Sequence, residues 1–108
     1  MVQEQINYDA IKQALIKKRV RFRSHSAQML IERNISKNEV FQTILNGEII
    51  EEYLKDRPFP SCLVFALHDK RPIHVVCSYN SIDDIAIIIT VYIPDSKFFE
   101  NDFKTRRK

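Results

Sequence analysis

The side chains able to move a proton near neutral pH or to hold a phosphate are few, and the imidazoles come first: His25, His68 and His74. Across 73–79, alternation sends Ile73, Val75 and Cys77 to one side and His74, Val76 and Ser78 to the other. Across 85–93 it sends Ile87, Ile89, Val91 and Ile93 one way and Ile88, Thr90 and Tyr92 the other. The uniformly apolar sides belong under helices, which leaves His74, Ser78, Thr90 and Tyr92 on an uncovered sheet face. An imidazole beside hydroxyls is a suitable floor for general acid–base work. It also matches the polar solvent face that antiparallel sheets ordinarily carry. His25 opens a helix, where it suits a base, a phosphate contact or plain packing on Met29. His68, before Asp69, reads as a solvated turn residue.

Charge supplies the second kind of chemistry. Lys17, Lys18, Arg19, Arg21 and Arg23 put five cations into seven positions, and the end of the chain adds Lys104, Arg106, Arg107 and Lys108. Acid concentrates elsewhere, at Glu48, Glu51, Glu52 and Asp56. A segregated basic surface is the footprint of contact with a nucleic-acid backbone. A solvated helix end and a frayed terminus account for the tail, but less well for the row Arg19, Arg21, Arg23, whose guanidinium groups repel unless an anion sits among them. Arg57, held between Asp56 and Pro58, loses little entropy on engaging a phosphate; the alternative is a weak local pair with Asp56. Arg33 shares a helical face with His25. No apolar face accompanies the cations, which argues against a membrane-surface helix.

Several function classes drop out. The sequence has no glycine-rich phosphate loop, no zinc-protease motif and no nucleophile–histidine–acid order. The three histidines have no metal spacing, and Cys62 and Cys77 form no Cys-x-x-Cys pair, so they read as buried small hydrophobes and no metal or cofactor is expected. The sequence has 108 residues, 44% hydrophobic and 29% charged, with a net charge of +3, which is ordinary for one globular domain. The longest apolar run is too short to cross a bilayer. No signal-like segment opens the chain, and the expected compartment is the cytoplasm.

The elements that must position these residues follow from periodicity. Residues 4–18 read as a helix with Ile6, Ala10, Ile11, Ala14 and Leu15 on one face. Val20 and Phe22 alternate with arginines in a short extended stretch. A second helix spans Ser24 to Arg33, burying Ala27, Leu30 and Ile31, with Asn34 as its cap. Ser36 and Glu39 form a capping box for a third helix that buries Val40 and Ile44 and ends at Asn46, with Gly47, the sole glycine, as a left-handed stop. Strands follow at 48–54, 61–68, 73–79 and 85–92, with 56–60 broken by two prolines. A short helix runs from Pro94 to about Phe103, before the basic tail. The expected fold is α+β, with N-terminal helices on one face of a four-stranded antiparallel sheet. It forms a single domain over 1–108, comprising an N-terminal helix (1–18), a core (19–103) and a tail (104–108).

The segments Arg23-Ser24-His25-Ser26-Ala27-Gln28-Met29, Glu32-Arg33-Asn34-Ile35-Ser36 and Gly47-Glu48-Ile49-Ile50-Glu51-Glu52-Tyr53 resemble a family of small bacterial proteins known as domain of unknown function 4258. Asp56-Arg57-Pro58-Phe59-Pro60-Ser61-Cys62-Leu63, Arg71-Pro72-Ile73-His74-Val75-Val76 and Thr90-Val91-Tyr92-Ile93-Pro94-Asp95 extend the likeness over about residues 20–107. Leu54 departs from it, since members commonly have proline there. The family is similar to the RelE-like and MqsR-like toxins of type II toxin–antitoxin pairs, which are metal-independent endoribonucleases. The resemblance implies a RelE- or barnase-like fold and His25, Arg33, Arg57, His74 and Tyr92 as functional residues. It also implies RNA, ribosome-bound message included, as substrate, and a small antitoxin, of a zinc-binding kind, as partner. In such chemistry His25, His74, Arg57 and Tyr92 would do the catalysis, and Arg33, Arg19, Arg21, Arg23, Lys104, Arg106 and Arg107 would hold RNA. The alternatives are a non-catalytic RNA- or protein-binding module, and a regulatory subunit whose edge at 53–61 accepts a partner strand.

Overall fold

A computed structural model describes residues 5–108. Three helices, α1 (Tyr8–Ile16), α2 (Ser24–Arg33) and α3 (Lys37–Asn46), cover one face of a five-stranded sheet: β1 (Val20–Phe22), β2 (Glu48–Tyr53), β3 (Ser61–His68), β4 (Arg71–Asn80) and β5 (Ile85–Tyr92). The order across the sheet is β1-β5-β4-β3-β2, and β1 runs parallel to β5 while the other pairs are antiparallel. The class is α+β as expected, but the sheet has five strands rather than four. The arginine-flanked stretch at Val20–Phe22 is a true strand, and its partner lies at the far end of the sequence.

α2 and α3 start where the sequence says they should. Ser36 Oγ accepts from Glu39 N at 3.0 Å, and Glu39 Oε1 accepts from Ser36 N at 2.9 Å, closing the capping box. Replacing Ser36 with alanine removes one of those bonds and is expected to cost about 1 kcal/mol, read as a lower urea midpoint at unchanged slope. Asn34 ends α2 in the left-handed region, φ 52°, and the guanidinium of Arg71 donates to the carbonyls of Arg33 and Asn34 at 2.9 and 2.7 Å, satisfying that helix end. The expected helix over 4–18 is shorter: Asn7 caps it, and residue 4 lies outside the described residues.

Gly47 stops α3 for a different reason from the one expected. Its φ is −89°, an angle open to any residue. What excludes a side chain is space: a Cβ would overlap the carbonyl oxygens of Thr43 and Phe65. The burial of α2 also differs. Ser26 and Leu30 are the buried pair, while Ile31 is 84% exposed. Ser26 Oγ donates to the carbonyls of Arg23 and Ile88, at 2.7 and 3.0 Å, so the turn out of β1 commits that face to β5.

The core between helices and sheet gathers Ile11, Ala14 and Leu15 from α1, Leu30 from α2, Val40 and Ile44 from α3, and Val64, Ile73, Val75, Ala86, Ile88 and Val91 from the strands. Cys62 and Cys77 are opposite each other in this core, reduced and fully buried. The assignment of faces on β5 changes at a bulge. Val76 pairs with Thr90 but Cys77 with Ile88, so one residue is skipped at Ile89. Ile88 and Val91 therefore both face the helices, and Ile87 moves to the opposite face with Ser78.

The Pro94-to-Phe103 helix does not form. Residues 94–108 instead make turns closed by a bridge between Phe99 and Arg106, laid across the sheet face opposite the helices. Asp95 and Asp102 spend their carboxylates on local backbone N–H groups, Lys97 for one and Lys104 and Thr105 for the other, which favours turns over helix. No helix among the described residues is long and apolar enough to cross a membrane.

Candidate functional site

Cross-strand register arranges the face opposite the helices as three rows. Glu48, Phe65, His74 and Tyr92 form the first. Glu51, Leu63, Val76 and Thr90 form the second, and Tyr53, Ser61, Ser78, Ile87 and Arg21 the third. Chemistry concentrates at the two ends of this face.

At the first end, His74 is where alternation places it, but the face is not open. The C-terminal segment covers His74, leaving it 0% exposed. Its Nε2 is 2.6 Å from the Phe103 carbonyl oxygen, which can only accept, so Nε2 carries the proton. Nδ1, 3.1 Å from Tyr92 Oη, then accepts the phenol proton. The ring also meets Phe99, Tyr92 and Phe65 edge-to-face at 4.7, 5.1 and 5.7 Å. Burial, above all, holds its pKa below the ordinary imidazole value, so it is neutral at pH 7. Burial likewise raises the Tyr92 phenol.

The tail expected to be a loose basic end is tied down. Arg106 grips Glu51 with Nε and Nη2 at 2.7 and 3.1 Å, and lies over the Phe99 ring. Tyr53 Oη donates to the same carboxylate. Burial pushes Glu51 upward, but the bonds from Arg106 and Tyr53 outweigh it and hold the carboxyl below its ordinary value. Tyr53 is pushed up to about 12, by burial first and Glu51 second. Lys104 meets Glu48 at 2.7 Å, and Arg107 meets Glu100 at 3.0 Å and the Ser96 carbonyl at 2.6 Å. Lys104, Arg106 and Arg107 are thus already paired within the chain.

The other end is an open cleft of about 130 Å³ between the start of α2, the 54–60 loop and the sheet. Arg23, Arg57, Phe59 and Ser78 line it, over a floor of Ile87 and Ile89. The loop turns through a cis Arg57–Pro58 peptide, and Asp56 accepts from Ser61 Oγ, anchoring the loop to β3. Arg57 Nη1 donates to the carbonyls of Asp56 and Leu54 at 2.9 and 3.2 Å. Arg21 adjoins Ile87 in the third row, and neither Arg21 nor Arg23 pairs with a carboxylate among the described residues. Ser78 and His74 are four positions apart on β4, about 13 Å at the usual rise.

Of the residues singled out in the sequence, Arg23, Arg57 and Ser78 come together at this cleft, while Arg21, paired with Ile87 of its floor, lines a separate groove. His25 stands exposed on the first turn of α2, two positions after Arg23. The others go elsewhere. Arg33 closes the far end of α2, about 14 Å along its axis, beside Glu32. Arg19 does not stand in a free row with its neighbours: its guanidinium donates to the Asp84 and Asp83 carbonyls at 2.8 and 2.6 Å, clamping the β4–β5 turn. His68 bonds Thr43 at 2.9 Å rather than facing solvent. Sequence reasoning missed Glu51, Tyr53, Phe99 and Phe103. The doublets Ile49-Ile50 and Glu51-Glu52 are the available hint, because a break in alternation marks the bulge that turns Glu51 onto this face.

The sequence model of the domain of unknown function DUF4258 matches residues 22–93, two thirds of the chain. The chain belongs to this family. The match takes in all of α2 and α3, strands β2 to β5 and the cleft, and leaves α1, all of β1 but Phe22 and the C-terminal segment outside, so the cleft is part of the DUF4258 unit and the cover over His74 is not. No curated protein matches the chain. No solved structure does either.

Proposed function

We propose that the protein is a toxin-like, metal-independent endoribonuclease with a RelE- or barnase-like arrangement, and that the reacting phosphate sits in the Arg23–Arg57 cleft. The observation that carries this is that Arg23 and Arg57, from separate segments, line one cleft with Asp56 and Ser78 over an apolar floor. RNA brings its own nucleophile. The 2′-oxygen attacks the adjacent phosphorus, the bond to the 5′-oxygen breaks, and a 2′,3′-cyclic phosphate remains. One proton must leave the 2′-hydroxyl and one must reach the departing 5′-oxygen. His25, exposed on the first turn of α2 two positions after Arg23, takes the acid–base role in this reading, while Arg23 and Arg57 stabilise the charge that grows on the phosphoryl oxygens. Phe59 offers a ring for a flanking base. His74 and Tyr92, spent on each other and on Phe103, hold the fold around the site. A cytoplasmic antitoxin protein as partner, and ribosome-bound message as substrate, belong to the same reading.

A second reading, RNA binding without cleavage, is favoured by the engagement of both His74 nitrogens. One experiment separates the two: purified protein with naked and ribosome-bound RNA in EDTA, beside Arg57→Ala and His25→Ala. The expected result is cleavage leaving a cyclic phosphate, reduced about 100-fold or more in each variant. Binding without products would establish the second reading. In either case Arg21, Arg23 and Arg57 as three phosphate contacts give a slope of log affinity on log salt of about −2, which Arg23→Ala reduces.

A further inference from the structure

The geometry points to a second binding surface: the outer edge of β1 accepts an extended acidic segment of a protein partner, which adds a strand to the sheet. Within the parallel ladder, Ala86 N donates to the Arg19 carbonyl and Arg23 N to that of Ile88, at 2.9 and 3.1 Å. The register Arg21↔Ile87 turns both main-chain groups of Arg21 toward β5 as well. By the same alternation the N–H and C=O of Val20 and Phe22 point off the sheet. β1 is the last strand in the order, so among the described residues these four groups form a free template.

An open groove of about 270 Å³, lined by Lys18, Arg19, Val20, Arg21 and Ile85, lies where the start of β1 meets the start of β5. Charge decides what fits it. Lys18, Arg21 and Arg23 have no carboxylate partner among the described residues, and Lys37 stands over the Phe22 ring at 5.5 Å. Four cations beside two residues of free main chain match an extended chain with acids on alternate positions: the backbone supplies affinity and the acids supply selectivity. A partner seated there would also lie against Arg23, at the mouth of the cleft.

The test uses the whole protein and a fluorescein-labelled ten-residue peptide of alternating glutamate and valine. Its lysine–valine counterpart and a version N-methylated on alternate amides serve as controls. The glutamate peptide should bind and should slow hydrogen exchange at the Val20 and Phe22 amides. N-methylation or Arg21→Glu should each weaken binding about tenfold. Val20→Pro should do the same, since it removes a donor that β5 does not use. The N-methylated peptide reads the same bonds on unaltered protein, so the result does not depend on that variant folding. Equal binding of the lysine–valine peptide, indifference to N-methylation, or protection of those amides by single-stranded RNA but not by peptide would each overturn the proposal.

Discussion

Replacing His74 with alanine is expected to lower the unfolding free energy by about 3–5 kcal/mol, the range for removing a large buried ring. The side chain fills space between Phe65, Phe99 and Tyr92, and its loss also strips the Phe103 carbonyl of its donor and the Tyr92 phenol of its acceptor. Urea denaturation reads this directly. His74→Phe, which keeps a ring but neither nitrogen, should recover only part of the loss; full recovery would mean that the two hydrogen bonds contribute nothing. The pH dependence has a definite sign. Burial holds the folded pKa below 6.5, so below that value the unfolded chain takes up a proton that the folded one refuses. The contribution of His74 is complete above pH 6.5 and is lost as pH falls from there through the folded pKa. Wild type should show a falling melting temperature over that window, and His74→Phe a flatter profile. A change in RNA cleavage in any His74 variant would therefore bear on the proposed chemistry only when the folded fraction is measured beside it.

Gly47→Ala is the second large effect, about 3 kcal/mol or more, although a methyl group is all that is added. The new Cβ would run into the carbonyl oxygens of Thr43 and Phe65, backbone atoms on α3 and β3 that cannot swing aside as a side chain can. Both are fixed by other bonds: the Thr43 carbonyl accepts from Gly47 N at 2.8 Å, and Phe65 pairs with Glu48 and with His74. Relief requires prising the end of α3 off the sheet, which loosens the contact of Tyr8 Oη with the Ile44 carbonyl at 2.5 Å. Thermal unfolding of Gly47→Ala beside Asn46→Ala, an exposed neighbour, gives the comparison. A shift no larger than that of Asn46→Ala would show that the turn into β2 can open without cost.

Much of this architecture could be read from the sequence because it depends on local chemistry. The capping box at Ser36 and Glu39, the left-handed cap at Asn34 and the strand periods are short-range signals, and they lie where they were read. What could not be read depends on distant neighbours. The face of Ile88 follows from a bulge whose register is set by β4. The exposure of His74 was judged from its own strand, while its cover comes from residues 94–108. Arginines that look alike in sequence divide by what they meet: Arg19 finds the Asp83–Asp84 turn, Arg106 finds Glu51, and Arg23 and Arg57 meet at a cleft. The sequence count of cations therefore overstated the charge left for an anionic partner. Lys104, Arg106 and Arg107 are neutralised at home, while Lys18, Arg21 and Arg23, on or beside β1, have no carboxylate partner among the described residues.

The parallel pairing of β1 with β5 has a consequence for how the chain is made. Val20–Phe22 leaves the ribosome more than sixty residues ahead of β5, its one strand partner among the described residues. α1 and α2 also pack on β5, so these helices have little to dock against until that strand has been made. Closure of such a long loop is slow, and it makes the fold all-or-none rather than progressive. Ile87 and Ile89, the floor of the cleft, arrive with that same strand. A nascent chain halted anywhere before β5 carries the arginines without the cleft, which is completed only when that strand joins the sheet.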